Sequence, residues 1–436
     1  MNVQSQNAAG PATTTLVAPQ SRASKVQRVV TKSGLEAWLV EDYAVPLVAV
    51  EFALEGGSSQ DAIGKAGTAT MLGALMDEGA GSLDAEAFHK ALDDKAIEIS
   101  FSADSDTFHG RLKTMTRNVD AAFALLKLAV NEPRFDTDAI ERVRAQMEAG
   151  LRAEANDPDA MAAKAWRQAA FPDHPYGRAS RGTMESVPAI TRDDLVAMHR
   201  AIMQRTGLKI AVVGAIDRDR LAILLDDVFA GLPESGSLIS VPQITLQGLG
   251  ERKIIDVDVP QATIRFGLPG IALKDPDHIP AMVLNHILGG GIFSARLFRE
   301  VREKRGLAYS VHSQLATYRH SSTFVGGTST KNERAAESLS VIEDEISKLA
   351  ADGPTAEELD KAQKYLIGSF ALRFDTSTKI AGQLVRLQIE ELPVTYLDER
   401  NGLVAAVALE DTHRAARRLF DGKKMLVAVA GRPVGM

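Results

Sequence analysis

The stretch Leu288–Gln314, LGGGIFSARLFREVREKRGLAYSVHSQ, decides how the rest of the chain is read. It opens with three glycines, Gly289, Gly290 and Gly291. The residues after them predict a helix, with Ile292, Leu297 and Phe298 as its apolar positions and Arg296, Arg299, Glu300, Arg302, Glu303 and Lys304 around them. Gly306 is the stop, a residue that takes positive φ just past the last turn. Leu307–Val311 then reads as a short strand. A tight helix-to-strand turn would bring the Arg302 guanidinium beside the Tyr309 phenol. Both donate hydrogen bonds, and one is permanently charged. Ordinary readings exist for each residue. The helix dipole favours a cation in the last turn, a tyrosine suits a half-buried strand, and glycines make tight helix-to-helix turns. A phosphate loop is a weak reading, because no Gly-Lys-Ser/Thr follows.

At 436 residues the chain is too long for one ordinary core and suits two or more domains. Its net charge of −7 argues against a nucleic-acid-binding surface over the whole protein. There is no cysteine, which removes disulfides, thiolate zinc sites and cysteine nucleophiles together. No apolar run approaches the ~20 residues of a membrane span. Residues 1–25, rich in Ala, Gln, Ser, Thr and Pro, read as a mobile tail without a signal-peptide pattern. The compartment stays open: periplasmic if an upstream signal peptide has been removed, cytoplasmic otherwise.

The first half reads as an α+β unit over residues 26–233. A hairpin turning at Lys32-Ser33-Gly34 precedes a strong strand, Pro46–Glu55, and then a helix of small residues, Gly64–Met76. Strands at 97–103 and 107–112, helices over 119–130, 136–155 and 160–171, the loop Pro172–Gly177 and a strand at 208–213 follow. Residues 234–250 are polar and aperiodic at their start and read as a linker. Residues 251–436 repeat the order. Ala211-Val212-Val213-Gly214 matches Ala428-Val429-Ala430-Gly431 at a spacing of 217, and Pro133 matches Pro354 at 221, each proline ahead of a long helix. Two markers agreeing this closely argue for a duplicated domain. No element is assigned between Leu372 and Lys424.

The chain resembles the pitrilysin–insulinase family of zinc peptidases, and most closely its bacterial two-subunit branch related to mitochondrial processing peptidase. The resemblance runs from Val26 to the C-terminus. It rests on Gly67-Thr68-Ala69, Pro172–Gly177 (PDHPYG), Gly182-Thr183, Ile190–Leu195 and Val212-Val213-Gly214 in the first half, and on Leu288–Gly291 and Arg302–Tyr309 in the second. It implies two homologous α+β domains, each a mainly antiparallel sheet packed by helices, together forming half of a clamshell. The family's zinc motif is His-x-x-Glu-His plus a later Glu, which leaves one coordination position for water. Here the two ligand positions hold Thr70 and Ala74, the base position holds Gly73, and the best match for the last ligand is Glu148. A lone carboxylate is a poor zinc site. The resemblance therefore implies no metal in this chain, with zinc expected in a partner subunit.

Active members of the family carry an Arg and a Tyr seven residues apart in the second half, taken to grip the peptide backbone and stabilise the oxyanion. Arg302 and Tyr309 have that spacing and are the candidate catalytic residues. Gly289, Gly290 and Gly291 resemble the Gly-rich loop of the zinc-less processing-peptidase subunit and are the candidate substrate-binding residues. The reading that follows is a zinc-less subunit, paired with a zinc-bearing homologue, that acts on peptides in trans. Its rivals are a structural core subunit and a module that captures extended peptides by strand addition. His174 is expected to order its turn, His286 to be a satisfied core histidine, and His312 to face away from Tyr309.

Overall fold

The computed structural model describes residues 21–436. The expected mobile tail falls mostly on residues 1–20, outside that range. Its last residues are not free: Ala23–Lys25 form a short 3₁₀ turn, and Asp398 accepts hydrogen bonds from Ser21 Oγ (2.5 Å) and the Arg22 amide (2.8 Å).

Among the described residues, eleven strands build two sheets. The first half contributes β1 (Gln27–Val30), β2 (Glu36–Glu41), β3 (Leu47–Glu55), β4 (Glu98–Ala103), β5 (Thr107–Met115) and β6 (Lys209–Gly214), ordered β1-β2-β6-β3-β5-β4. The second contributes β7 (Arg252–Ile255), β8 (Gln261–Pro269), β9 (Ala308–Thr317), β10 (Ser322–Lys331) and β11 (Leu426–Ala430), ordered β7-β11-β8-β10-β9. Apart from the extra edge strand β1, the two orders superpose. In each sheet one parallel pair (β2–β6, β7–β11) is followed by three antiparallel ones. Gly214 and Gly431, the spaced markers, both have φ of 145°. A side chain on Gly214 would run into the Leu47 carbonyl, and one on Gly431 into Ala262, so the same strand end needs glycine twice.

Among the described residues, fourteen α-helices complete the fold. In the first half they are α1 (Thr68–Leu75), α2 (Ala85–Asp93), α3 (Val119–Asn131), α4 (Thr137–Glu154), α5 (Pro158–Ala170), α6 (Ser186–Ala189), α7 (Arg192–Ile202) and α8 (Arg218–Phe229). In the second they are α9 (His278–Asn285), α10 (Ala335–Asp352), α11 (Ala356–Phe370), α12 (Ser377–Ile389), α13 (Tyr396–Ala405) and α14 (Leu409–Phe420). The last three fill the stretch for which the sequence reading assigns no element. Starts are capped as the side chains dictate: Thr191 and Thr355 each close a capping box, with Asp194 and Glu358.

Strand β3, LVAVEFALE, is buried on both faces. Val48, Val50, Phe52 and Leu54 point into the first half's main core, and Ala53 points the other way. The helix covering that second face is α12, which comes from the other half: Ala381, Leu384 and Val385 pack on Ala53, Ala211 and Val213. Gln388 Nε2 also donates to the Ile210 carbonyl at 2.9 Å. The exchange is reciprocal. Helix α5 of the first half lies on the second sheet, where Trp166 and Ala170 pack on Leu426 and Ala428 and Trp166 Nε1 donates to the Leu426 carbonyl at 3.2 Å. Small residues make both crossings possible; a Cβ on Gly267 would come within 2.4 Å of the Trp166 ring. Each half therefore lends a helix to the other's sheet.

Residues 233–250 hold no helix or strand and run as a strap bound to both halves. The Ile239 amide donates to Gln60 Oε1 (2.7 Å), the Ile244 amide to the His320 carbonyl (3.0 Å) and the Gln247 amide to the Ala170 carbonyl (2.9 Å).

Candidate functional site

Helix α9 does not end at the glycines. It continues as a π-helical turn, His286–Gly290, and then a 3₁₀ turn, Ile292–Ser294. The expected regular helix over 292–305 is replaced by this turn and a second π-helical segment, Phe298–Glu303, whose wide pitch shows in the Lys304 amide donating to the Arg299 carbonyl at 2.9 Å. Gly306, at φ 58°, stops it as expected.

The glycines have three separate reasons to be there, none of them a positive φ. Gly289 is buried, and a Cβ on it would stand 2.4 Å from Ser313 Oγ and 2.7 Å from the Ser313 amide nitrogen. It lets the π turn lie directly on β9. Asn285 locks that contact: it accepts from Ser313 Oγ at 2.8 Å and donates to the Ser313 carbonyl at 3.3 Å. Gly290 is exposed, and a Cβ there would meet Asn285 Nδ2 at 2.8 Å. On Gly291 it would meet the His286 carbonyl at 2.7 Å. The expected helix-to-helix turn is thus a widened helix end packed on a strand.

Arg302 and Tyr309 do come together. The guanidinium carbon lies 4.8 Å from the Tyr309 ring centre and 4.7 Å from that of Phe298, so the cation is held between two rings. The sequence reading places Phe298 among the helix's apolar positions but gives it no part in the site. Its signal was the four-residue spacing to Arg302, which puts both on one helical face. Tyr309 is 84% exposed, not half-buried, because the β9–β10 register slips between the Ala308 and Val311 pairings. This bulge puts both Tyr309 and Ser310 at the surface while Ala308 and Val311 stay inside.

Charge sorting around the pair is specific. Arg296 pairs with Glu358 (2.6 Å); Arg299 (3.4 Å), Lys304 (2.7 Å) and Arg305 (2.9 Å) all reach Glu300. Burial pushes the Glu300 carboxyl up, but hydrogen bonds from Lys304 and Arg305 outweigh it and hold it at about 2. Among the described residues, Arg302 makes no ion pair and no side-chain hydrogen bond. A cation seated on rings but lacking a carboxylate keeps its donors available for a carbonyl or oxyanion.

The first half's zinc positions do not fit the metal. Thr70 Oγ1 donates to the Ser180 carbonyl at 2.8 Å, Gly73 is buried against Ser102, and Ala74 offers no donor atom. Glu148 is paired with Arg152 at 2.7 Å. Among the described residues no three His, Asp or Glu side chains form a metal-binding group. No step of zinc chemistry can be routed through these residues.

His174 orders its turn as expected, accepting from the Tyr176 amide at 3.1 Å. His286 differs from the expectation of a hydrogen-bonded core residue. It stacks on exposed Tyr365, ring centres 4.8 Å apart, and burial lowers its pKa. His312 is exposed, on the sheet face of Arg265 and Asp159, away from the helix that carries Arg302.

Comparison with known proteins agrees with this geometry. Residues 189–366 match the family model described as the peptidase M16 inactive domain. The chain is 29% identical over 340 residues to a protein of Helicobacter pylori named non-peptidase homolog YmxG, spanning 77% of this chain and 78% of that one. It is 27% identical over 426 residues to an uncharacterized zinc protease of Mycobacterium leprae, covering 94% and 93%. The crystal structure of a peptidase M16 inactive domain from Pseudomonas fluorescens superposes with a TM-score of 0.87 at 28% identity, covering 94% of this chain and 98% of that one. The duplicated sheets and these likenesses agree: over most of its length the chain is similar to members of the pitrilysin–insulinase, or M16, peptidase family, and its residues 189–366 match that family's inactive domain.

Proposed function

We propose that this chain is the non-zinc-binding subunit of a heterodimeric zinc metallopeptidase. In this reading a homologous subunit carries the zinc and this chain offers Arg302 and Tyr309 in trans. The observation that carries it is the ring-seated, unpaired Arg302 beside an exposed Tyr309 hydroxyl, in a chain whose own zinc positions hold Thr70, Gly73 and Ala74. The two side chains would donate to the carbonyl oxygen of a bound peptide, and more strongly to the oxyanion it becomes. The ring pair fixes the guanidinium before substrate arrives, so little reorganisation is needed. Any zinc would belong to the partner; Arg302 and Tyr309 bind and orient. Gly289–Gly291 would contribute by shape: Gly289 sets the π turn on β9, and Gly290 and Gly291 keep the surface beside the pair free of side chains. A peptide is the substrate.

A second reading, an inactive peptide-binding or structural core subunit, is supported by the non-peptidase name of the Helicobacter pylori relative. One experiment separates them: peptidase activity and bound zinc, measured for this chain alone and mixed with a zinc-motif homologue from the same genome. The heterodimer reading expects activity and zinc only in the mixture, with Arg302→Ala or Tyr309→Phe lowering turnover by roughly 10²-fold without breaking the complex. Unchanged turnover in both variants refutes the trans role, and failure to associate favours the second reading.

A further inference from the structure

Aromatic residues are sparse in this chain and mostly buried. Four are exposed among the described residues: Tyr43, Phe293, Tyr309 and Tyr365. Three of them border the glycine-rich turn. Phe293 is 71% exposed and rests edge-on against Phe298, ring centres 5.1 Å apart. Phe298 in turn carries Arg302, and Arg302 carries Tyr309. On the other side of the glycines, Tyr365 of α11 is 58% exposed and lies flat on His286. The His286 ring edge approaches Gly291 itself, at 3.2 Å from where a Cβ would stand. Rings thus flank a floor, Gly290–Gly291, that has no side chains, and a Cβ at either glycine would collide with Asn285 or His286.

Exposed rings cost hydration free energy and are not needed to hold these elements. Phe298 and Leu297 already fill the core below the 3₁₀ turn, and His286 is buried without help from Tyr365's outer face. From Phe293 to Tyr309 the ring contacts span no more than about 15 Å, the reach of four to five residues of extended chain at ~3.3 Å each. The unpaired guanidinium supplies polar donors at one end of this strip, and bare rings supply apolar surface at the other. That pairing of chemistries suits an extended peptide, with a backbone carbonyl at Arg302 and a large apolar side chain over the glycine floor.

We propose that Phe293 and Tyr365 form a side-chain subsite for an aromatic or large aliphatic residue of the peptide, lying within about five residues of the carbonyl engaged by Arg302 and Tyr309. The proposal rests on the peptide-binding role of that pair and adds the class of residue selected. Phe293 and Tyr365 are specificity residues in it, with no part in the chemistry.

The test uses short fluorescein-labelled peptides of Gly, Ser and Thr with one variable position, Phe, Leu, Ala or Glu, and reads anisotropy with the full chain. The expected result is binding of the Phe and Leu peptides about tenfold or more tighter than the Ala peptide. Phe293→Ala and Tyr365→Ala would each reduce that ratio by weakening the Phe and Leu peptides more than the Ala peptide. Arg302→Ala would weaken every peptide by a similar factor and keep the ratio. Absence of preference in the wild type, or a preference that survives both ring variants, overturns the subsite and leaves the Arg302 reading standing. If no peptide binds the wild type, both fall. A concentration-dependent dimer of wild type that Phe293→Ala abolishes would show that the rings contact a second copy, and would also overturn the subsite.

Discussion

Gly289→Ala offers the sharpest check on the glycine run, because packing and substrate contact predict different outcomes. The new Cβ would stand 2.4 Å from Ser313 Oγ and 2.7 Å from the Ser313 nitrogen, short of ordinary contact by about 1 Å. The hydroxyl can rotate away, at the loss of its bond to Asn285 Oδ1, worth about 1 kcal/mol. The nitrogen cannot, since Ser313 is held in the ladder opposite Gly326 of β10. Forcing the π turn off β9 is overpacking, which costs about 1–3 kcal/mol. Alanine's better helix propensity returns up to ~1 kcal/mol. The net expectation is a loss of about 1–3 kcal/mol. Gly290→Ala is the milder comparison: its nearest neighbour is the Asn285 side-chain amide, which can shift at the loss of its bond to the Ser313 carbonyl, so the change should cost about 1 kcal/mol or less. Urea denaturation followed by far-UV circular dichroism compares the two. Ser313→Ala added to Gly289→Ala should recover only part of the loss, because the clash with the nitrogen remains. Equal midpoints for the two glycine variants would refute the close-packing argument.

Trp166→Ala empties the seat of α5 on the opposite sheet and should cost about 3–5 kcal/mol, with faster amide exchange in β8 and β11 as well as in α5; loss of protection confined to α5 would contradict the helix exchange. Glu300, whose folded pKa of about 2 lies below its usual value, contributes stability that is complete above about pH 4.5 and lost as pH falls toward 2. Glu300→Gln should therefore flatten that part of the acid limb in a series of denaturation midpoints against pH, and an unchanged limb would assign it elsewhere. Tyr309→Ala, at an exposed position, should change stability by about 1 kcal/mol or less, so that any loss of turnover in the complex cannot be attributed to unfolding; a calorimetric scan reads this directly.

The parts of the fold legible in the sequence are those set by local pattern. Strand β3 is apolar apart from Glu51 and Glu55 because both its faces are covered. Gly214 and Gly431 mark the duplication because the same backbone conformation forces the same residue. The capping boxes at Thr191 and Thr355 follow from their own side chains. The rest depends on contacts distant in the chain. Ala53 and Gly267 are small because α12 and α5 cross from the opposite half, and neither helix announces its partner. Within the site, the spacing of Arg302 and Tyr309 was readable. The bulge that exposes Tyr309 was not, because it is a slip between β9 and β10 and needs both strands to exist. The π turn over His286–Gly290 was equally silent, since it seats Gly289 against Ser313 of β9.

The two halves share one topology, which allows a comparison inside the molecule. Helices α1 and α9 each follow the corresponding central strand and each span eight residues. Beyond α1, the first half has closed its old metal positions: Thr70 is bonded to the Ser180 carbonyl, Gly73 is packed on β4, and Glu148 is paired with Arg152. Beyond α9, the second half does the opposite. Its helix widens, its glycines keep the surface bare, and three rings and an unpaired guanidinium are held at that surface. Unsatisfied donors and exposed rings are unfavourable for a lone folded chain, and a half relieved of all chemistry has no physical reason to hold them in a fixed array. Three of the four exposed rings among the described residues lie in that half, so under the proposed reading a peptide would bind there, on β9 and the two π turns that flank it.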